Sequence, residues 1–178
     1  EKLTKGMIEN GIDEKIAKKI WELFPPFARY GFNRSHAACY ALIGYRTAYL
    51  KAHWPIEFMT SLLNSDSGDI ERIAFLISEA KKSGIEILPP DINKSFDNFI
   101  PEGENIRFGL LAIKNVGVAI VEAITEERHR GGPFVDFAEF LTRVYHKDLN
   151  KKSLESLIKT GVFNSLNTGR THLLTHIE

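Results

Sequence analysis

The stretch Phe32-Asn33-Arg34-Ser35-His36-Ala37-Ala38-Cys39-Tyr40-Ala41-Leu42-Ile43-Gly44-Tyr45-Arg46-Thr47-Ala48-Tyr49-Leu50-Lys51 reads as one helix with a polar, basic entrance and a body of small and aromatic side chains. Asn33 is the expected N-cap, because its side chain accepts from a backbone N–H two or three residues on. Arg34, Ser35 and His36 then form the first turn. Backbone N–H groups there lack intrahelical partners and attract anions, phosphate above all. Arg34 adds a permanent charge with a forked donor geometry suited to phosphate. At ~100° per residue, His36, Tyr40, Ile43, Thr47 and Leu50 share one face, and Ala38, Ala41, Tyr45 and Ala48 another. Small and aromatic residues together let something flat and large approach closely. A phosphate site and a buried helix with a capped, charged end both satisfy these residues.

Outward from this helix the pattern stays helical. Residues 2–10 and 13–24 read as two helices, the second capped by Asp13, with Ile16, Ala17, Ile20, Trp21 and Phe24 at helical spacing. Pro25-Pro26 is expected to stop it, and 27–31 to turn the chain into the central helix. On the other side, Trp54-Pro55 ends the central helix and opens the next, 56–64. Residues 69–83 form an amphipathic helix with Ile70, Ile73, Ala74, Ile77 and Ala80 inward and Gly84 as its C-cap. The texture then changes. Residues 85–88 alternate toward strand, Pro89-Pro90 fixes an extended segment, and 99–100 and 105–108 are short strands around a turn. The fold class is mainly α, with a small extended or β segment near 85–108.

After Gly109 the helical pattern returns. Residues 110–114, then Asn115-Val116-Gly117, then 118–129 form a helix-hairpin-helix signature. The first hairpin position needs a residue tolerant of positive φ, and Asn is the next best choice after Gly. The second helix opens at Gly117, so its free N–H groups can hold a backbone phosphate. A tight turn between two helices that binds nothing is the alternative. Phe134, Phe137, Phe140 and Leu141 belong to a short helix, and its aromatics read as core rather than as a nucleotide platform. Residues 151–159 form a helix with Leu154, Leu157 and Ile158 inward. Residues 159–163 resemble a second, degenerate hairpin turn, and 169–177 begin a last helix.

Composition bounds the function. Hydrophobic residues make up 43 % and charged residues 26 %, as in an ordinary globular domain. The single cysteine, Cys39, excludes an internal disulfide and fits a reducing, cytoplasmic setting. No apolar run approaches the ~20 residues that span a bilayer, so no membrane role is expected. Net charge is zero but unevenly spread. Residues 1–51 carry nine Lys/Arg against five Asp/Glu, 52–108 carry five against ten, and 109–178 carry nine against eight. Phosphate contacts are therefore expected in the first third, or at local points in the last. With no initiator Met, the chain reads as a piece of something larger.

Tyr30-Gly31-Phe32-Asn33-Arg34-Ser35-His36-Ala37, with Tyr45-Arg46-Thr47-Ala48-Tyr49-Leu50-Lys51-Ala52-His53-Trp54-Pro55, resembles the fingers of bacterial replicative DNA polymerase III alpha subunits. Leu88-Pro89-Pro90-Asp91-Ile92-Asn93 is similar to the same family, as is Ile106-Arg107-Phe108-Gly109-Leu110 leading into Ile113-Lys114-Asn115-Val116-Gly117. The resemblance extends in order over nearly the whole chain. It implies the C-terminal part of the fingers at 1–108, and a helix-hairpin-helix region that starts the clamp-binding domain at 109–178. It implies DNA-directed DNA polymerase activity for the full-length protein, with Mg2+, on primer-template DNA and deoxynucleoside triphosphates. A sliding clamp and other replisome subunits would be partners. The family's catalytic carboxylates lie in the palm, so no catalytic residue and no cofactor is expected in this piece, which alone should bind DNA and not polymerise.

Under this resemblance Asn33, Arg34, Ser35, His36 and Tyr40 are nucleotide-binding. Arg34 and the free N–H groups would hold the triphosphate, and His36 would lie against the sugar or base. Arg46, Lys51, Lys114, Asn115, Val116, Gly117 and Val118 are the DNA-binding candidates. Three departures stand out: Arg34 replaces the family's usual Lys, Arg46 its Gln, and Asn115 the first hairpin Gly. The clamp-binding peptide is not recognisable, and is expected beyond residue 178. The alternative function is a non-catalytic helix-hairpin-helix DNA-binding module of a repair or recombination protein. His172 and His176 have the i,i+4 spacing of two metal ligands but no evident third, so no metal site is assigned.

Overall fold

The computed structural model describes residues 2–30 and 33–177. It divides into two compact units, Glu1–Leu50 and Lys51–Glu178.

In the first unit, α1 (Lys2–Glu9) packs on α2 (Glu14–Tyr30), and Ala17 is fully buried. Asp13 caps α2 as expected, its carboxylate accepting from the Lys15 N–H at 2.8 Å. The helix does not stop at Pro25-Pro26 but runs through both. A proline φ near −65° is itself helical; the helix forgoes the two N–H groups that would reach the carbonyls of Trp21 and Glu22 and bears the crowding of each ring against them. Residues 21–26 are exposed, so water can serve those carbonyls. The turn expected over 27–31 is therefore helix as far as Tyr30, and Gly31 lies outside the described residues. Helix α3 (Arg34–His53) then forms as one element, with Asn33 Oδ1 accepting from the His36 N–H at 3.0 Å. None of its residues is buried, and Tyr40, Ile43 and Tyr45 are each more than half exposed. Its apolar side chains run all round the cylinder, so no single face is marked for burial.

The second unit contains two adjoining cores. The first lies between α4 (Pro55–Ser65), α5 (Ile70–Lys82) and a three-stranded sheet of β1 (Ile87–Leu88), β2 (Ile100–Glu102) and β3 (Asn105–Arg107). Strand order is β1-β3-β2, with β1 parallel to β3 (Ile87 opposite Ile106) and β2 antiparallel to it. Asp69 caps α5, and Gly84 leaves that helix at φ +78. The inward stripe of α5 is Ile73, Leu76 and Ala80; Ile70 and Ala74, expected inside, are exposed. Ile70 sits in the first turn, beyond the edge of the core, and the packing settles on the i, i+3, i+7 row instead.

The larger core gathers α6 (Val118–Gly131), α7 (Phe137–Arg143), α8 (Lys151–Thr160) and α9 (Arg170–His176). Phe134, Phe140 and Phe163 are buried there in edge-to-face contact, as core aromatics should be. The short helix expected to include Phe134 begins only at Phe137, and it turns Leu141 outward. Phe108 packs against both cores.

The segment after Pro90 joins the cores. Ser95 is fully buried, and its hydroxyl donates to Phe108 O at 2.7 Å while accepting from the Asp91 N–H. Asn93 exchanges two 2.8 Å hydrogen bonds with the backbone of Phe134. The Ile92 N–H reaches Val162 O at 2.9 Å. Arg128, only 8 % exposed, donates through Nη1 to the carbonyls of Ile92 and Ser95 and lies 4.6 Å from the Phe96 ring centre. Burial pushes its guanidinium down from the ordinary range, opposed by the Asp91 carboxylate.

Gly109 passes so close to this segment that a Cβ there would overlap Asn98 C and lie 2.7 Å from Asp97 O. Both neighbours are backbone and cannot swing aside. Gly109→Ala should therefore destabilise the second unit by about 1–3 kcal/mol or more, read as a lower urea midpoint with unchanged slope. In the sheet, Arg107 forks onto both oxygens of Glu102 at 2.7 Å and also donates to Pro89 O. The bond from Arg107 is the main cause that holds the Glu102 carboxyl below its usual range. A carboxyl lowered by folding contributes stability above its unfolded pKa and loses it as pH falls through the folded value. Glu102→Gln should accordingly cost more stability at pH 7 than at pH 3, in parallel denaturation curves.

Candidate nucleic-acid interface

The hairpin begins with a shortened first arm. Instead of a helix over 110–114, only Leu110–Ala112 form a one-turn 3-10 helix. Ile113 then takes extended backbone, φ −83 and ψ 124, and its side chain is buried at 3 % exposure. Plugging the core with Ile113 and Val116 is what ends the arm. Asn115 adopts the left-handed conformation, φ +67, as its residue type predicts. Val116 points inward, leaving Lys114, Asn115, Gly117 and Val118 exposed.

Gly117 is the N-cap of α6, with φ −94 and no side-chain hydrogen bond capping the helix. Its backbone does not need glycine, and a Cβ there would meet nothing within 4 Å. The missing side chain therefore serves the outside: it leaves the N–H groups of the first turn uncovered, where another backbone could come close. Behind this end, Ile120, Val121 and Ile124 fix α6 in the core. Asn115 Nδ2 donates to Ser156 Oγ on α8 at 3.0 Å, a bond that spacing along the chain could not reveal. On another side, Val118 shares a groove with Phe96, Asp97, Leu111 and Glu122, two of them acidic.

The second hairpin is built differently. Gly161 stands at φ +83, and its N–H closes α8 onto Ile158 O and Leu157 O. Val162 and Phe163 are buried, and Val162 O receives the Ile92 N–H. The Arg170 guanidinium lies over Gly161 where a Cβ would stand. This turn spends its backbone on the fold.

The remaining candidates all lie on α3. Arg34, Ser35 and His36 are exposed in its first turn, and the His36 and Tyr40 rings meet at 4.5 Å. Arg46 lies twelve residues beyond Arg34, about 18 Å along the axis. Lys51, in the last turn, contributes to holding the Glu79 carboxyl low, after the larger effect of Lys82. Its charge is therefore shared with an acid. Among the described residues no group of His, Cys, Asp and Glu has the arrangement of a metal site. No described helix is long and apolar enough to cross a membrane.

A family model described as a helix-hairpin-helix motif matches residues 84–173. Over all 178 residues the chain is 45 % identical to the DNA polymerase III alpha subunit of Thermus aquaticus and 47 % identical to that of Chlamydia pneumoniae, covering 14 % of each. The same subunit of Mycobacterium tuberculosis is 43 % identical over the whole chain, which covers 15 % of it. The chain thus spans about one seventh of the length of the curated relatives it matches.

The left-handed Asn115 separates two substitutions. Asn115→Gly keeps the backbone and removes the bond to Ser156, costing about 0.5–1.5 kcal/mol. Asn115→Ala removes the same bond and adds about 1–2 kcal/mol of left-handed strain. Thermal melts of the two variants should rank Ala below Gly.

Proposed function

Because the chain belongs to the helix-hairpin-helix family, we propose that it holds DNA through its backbone phosphates at residues 114–118, as a segment of a replicative DNA-directed DNA polymerase. The observation that carries this is the uncapped start of α6 behind a side-chain-free Gly117, with the exposed Lys114 beside it. Identity to polymerase alpha subunits runs through residues 1–83 as well, outside the matched motif, which favours a polymerase segment over a free-standing repair or recombination module. In this reading 1–108 is the end of the fingers and 109–178 the hairpin region. The whole protein would add deoxynucleotides to a primed template with Mg2+ held by carboxylates elsewhere, in the cytoplasm, with a sliding clamp and other replisome subunits as partners.

The start of α3 takes the nucleotide in this proposal. Asn33 fixes the helix end, Arg34 and the first-turn N–H groups face the triphosphate, and Ser35 tunes the cap or a phosphate oxygen. His36, backed by Tyr40, lies against the sugar or base. Arg46 and Lys51 add DNA contacts farther along.

Phosphate contacts carry no base information and weaken with salt. Lys114→Glu should therefore lower affinity for duplexes of unrelated sequence about equally; a loss confined to one sequence, or none at low salt, would overturn the hairpin reading. In the full-length enzyme Arg34→Ala should raise the apparent KM for every deoxynucleotide. His36→Ala should alter the ratio of kcat/KM for deoxy- over ribonucleotides. A lower Tm with that ratio unchanged would make His36 a structural residue.

A further inference from the structure

Resting on the hairpin reading, we propose that α8 supplies the second half of the phosphate-binding surface, with Lys152 as a further backbone contact; the shared core sets α8 beside the hairpin, and the Asn115–Ser156 hydrogen bond marks where the two meet. The two residues of that bond are 41 positions apart, and at 3.0 Å it brings the exposed flank of α8 against the left-handed residue of the hairpin. Ser156 is available to accept because its own hydroxyl proton goes to Lys152 O. Lys152 lies one turn before Ser156, about 6 Å along the axis and about 40° around it.

The other lysines of α8 are engaged. Lys159, on the same outer face, is held by Glu155 at 3.0 Å. Lys151 also has a partner. The ammonium groups of Lys114 and Lys152 have no ion-pair partner among the described residues. On its groove side the hairpin meets Asp97 and Glu122, which repel phosphate. A DNA backbone seated on Gly117 is therefore steered away from that groove and toward α8. The position of Lys152 is well defined, since Asn150 caps α8 reciprocally with Ser153 and accepts from the Lys152 N–H itself.

The side chain of Lys152 has no role in that cap, so Lys152→Ala preserves the fold. The test is the salt dependence of duplex binding by the 178-residue chain, with duplexes of unrelated sequence. Removing one phosphate-binding cation should reduce the slope of log affinity against log salt by about 0.9. Lys114→Ala and Lys152→Ala should each show that reduction, and Lys81→Ala, on α5, should not. If the slope falls for Lys114→Ala alone, α8 is no part of the surface and the hairpin reading survives. If it falls for neither, the hairpin reading itself is wrong.

Discussion

A chain segment that crosses a protein interior without regular secondary structure must still have its amides and carbonyls answered. In residues 91–95 the Arg128 guanidinium answers the carbonyls of Ile92 and Ser95, Val162 O the Ile92 N–H and the Ser95 hydroxyl the Asp91 N–H, while the Asn93 and Ser95 side chains answer the backbone of Phe134 and Phe108 in turn. The sheet core and the larger helical core are held together through these bonds. Leaving one buried partner unanswered costs more than the bond is worth, about 1–3 kcal/mol. The close approach of Gly109 to residues 97–99 follows from the same crowding.

The hairpin depends on this arrangement for its rigidity. Helix α6 is fixed at one end by Arg128 under the crossing segment, and along its length by Ile120, Val121 and Ile124. Its other end is then free to go uncapped, giving up a local contribution of about 1 kcal/mol that a Ser or Asp would bring. The two hairpins show opposite uses of one backbone shape. One keeps its amides outside; the other closes a helix and receives the crossing segment.

Local signals were legible in the sequence. Asp13, Asn33 and Gly84 act within two or three residues of themselves, and the positive φ of Asn115 follows from its side chain and its place in the motif. The strands around the turn at 101–104 and the order of helices were readable for the same reason. Pro25-Pro26 misled because proline forbids a hydrogen bond, not a helical φ. What sequence could not reveal is long in range. Asn64 bonding both ways with Phe99, Asn93 with Phe134, Arg128 with Ile92 and Asn115 with Ser156 join residues 35 to 41 apart and leave no spacing to read. The α3 candidates were legible as a capped, basic helix start, whereas the α8 flank of the hairpin was not.

The crossing segment also constrains how such a chain can be recombined. Residues 91–95 precede the hairpin in sequence but are bonded into the core that carries it. An exchange between relatives with its junction at Gly109 would import one half of each hydrogen-bonded pair and strand the other. By the same measure the transferable block reaches back to α4, whose Asn64 is bonded both ways to Phe99, and runs on through α9. The hairpin therefore transfers only together with its sheet, not as a cassette of helices.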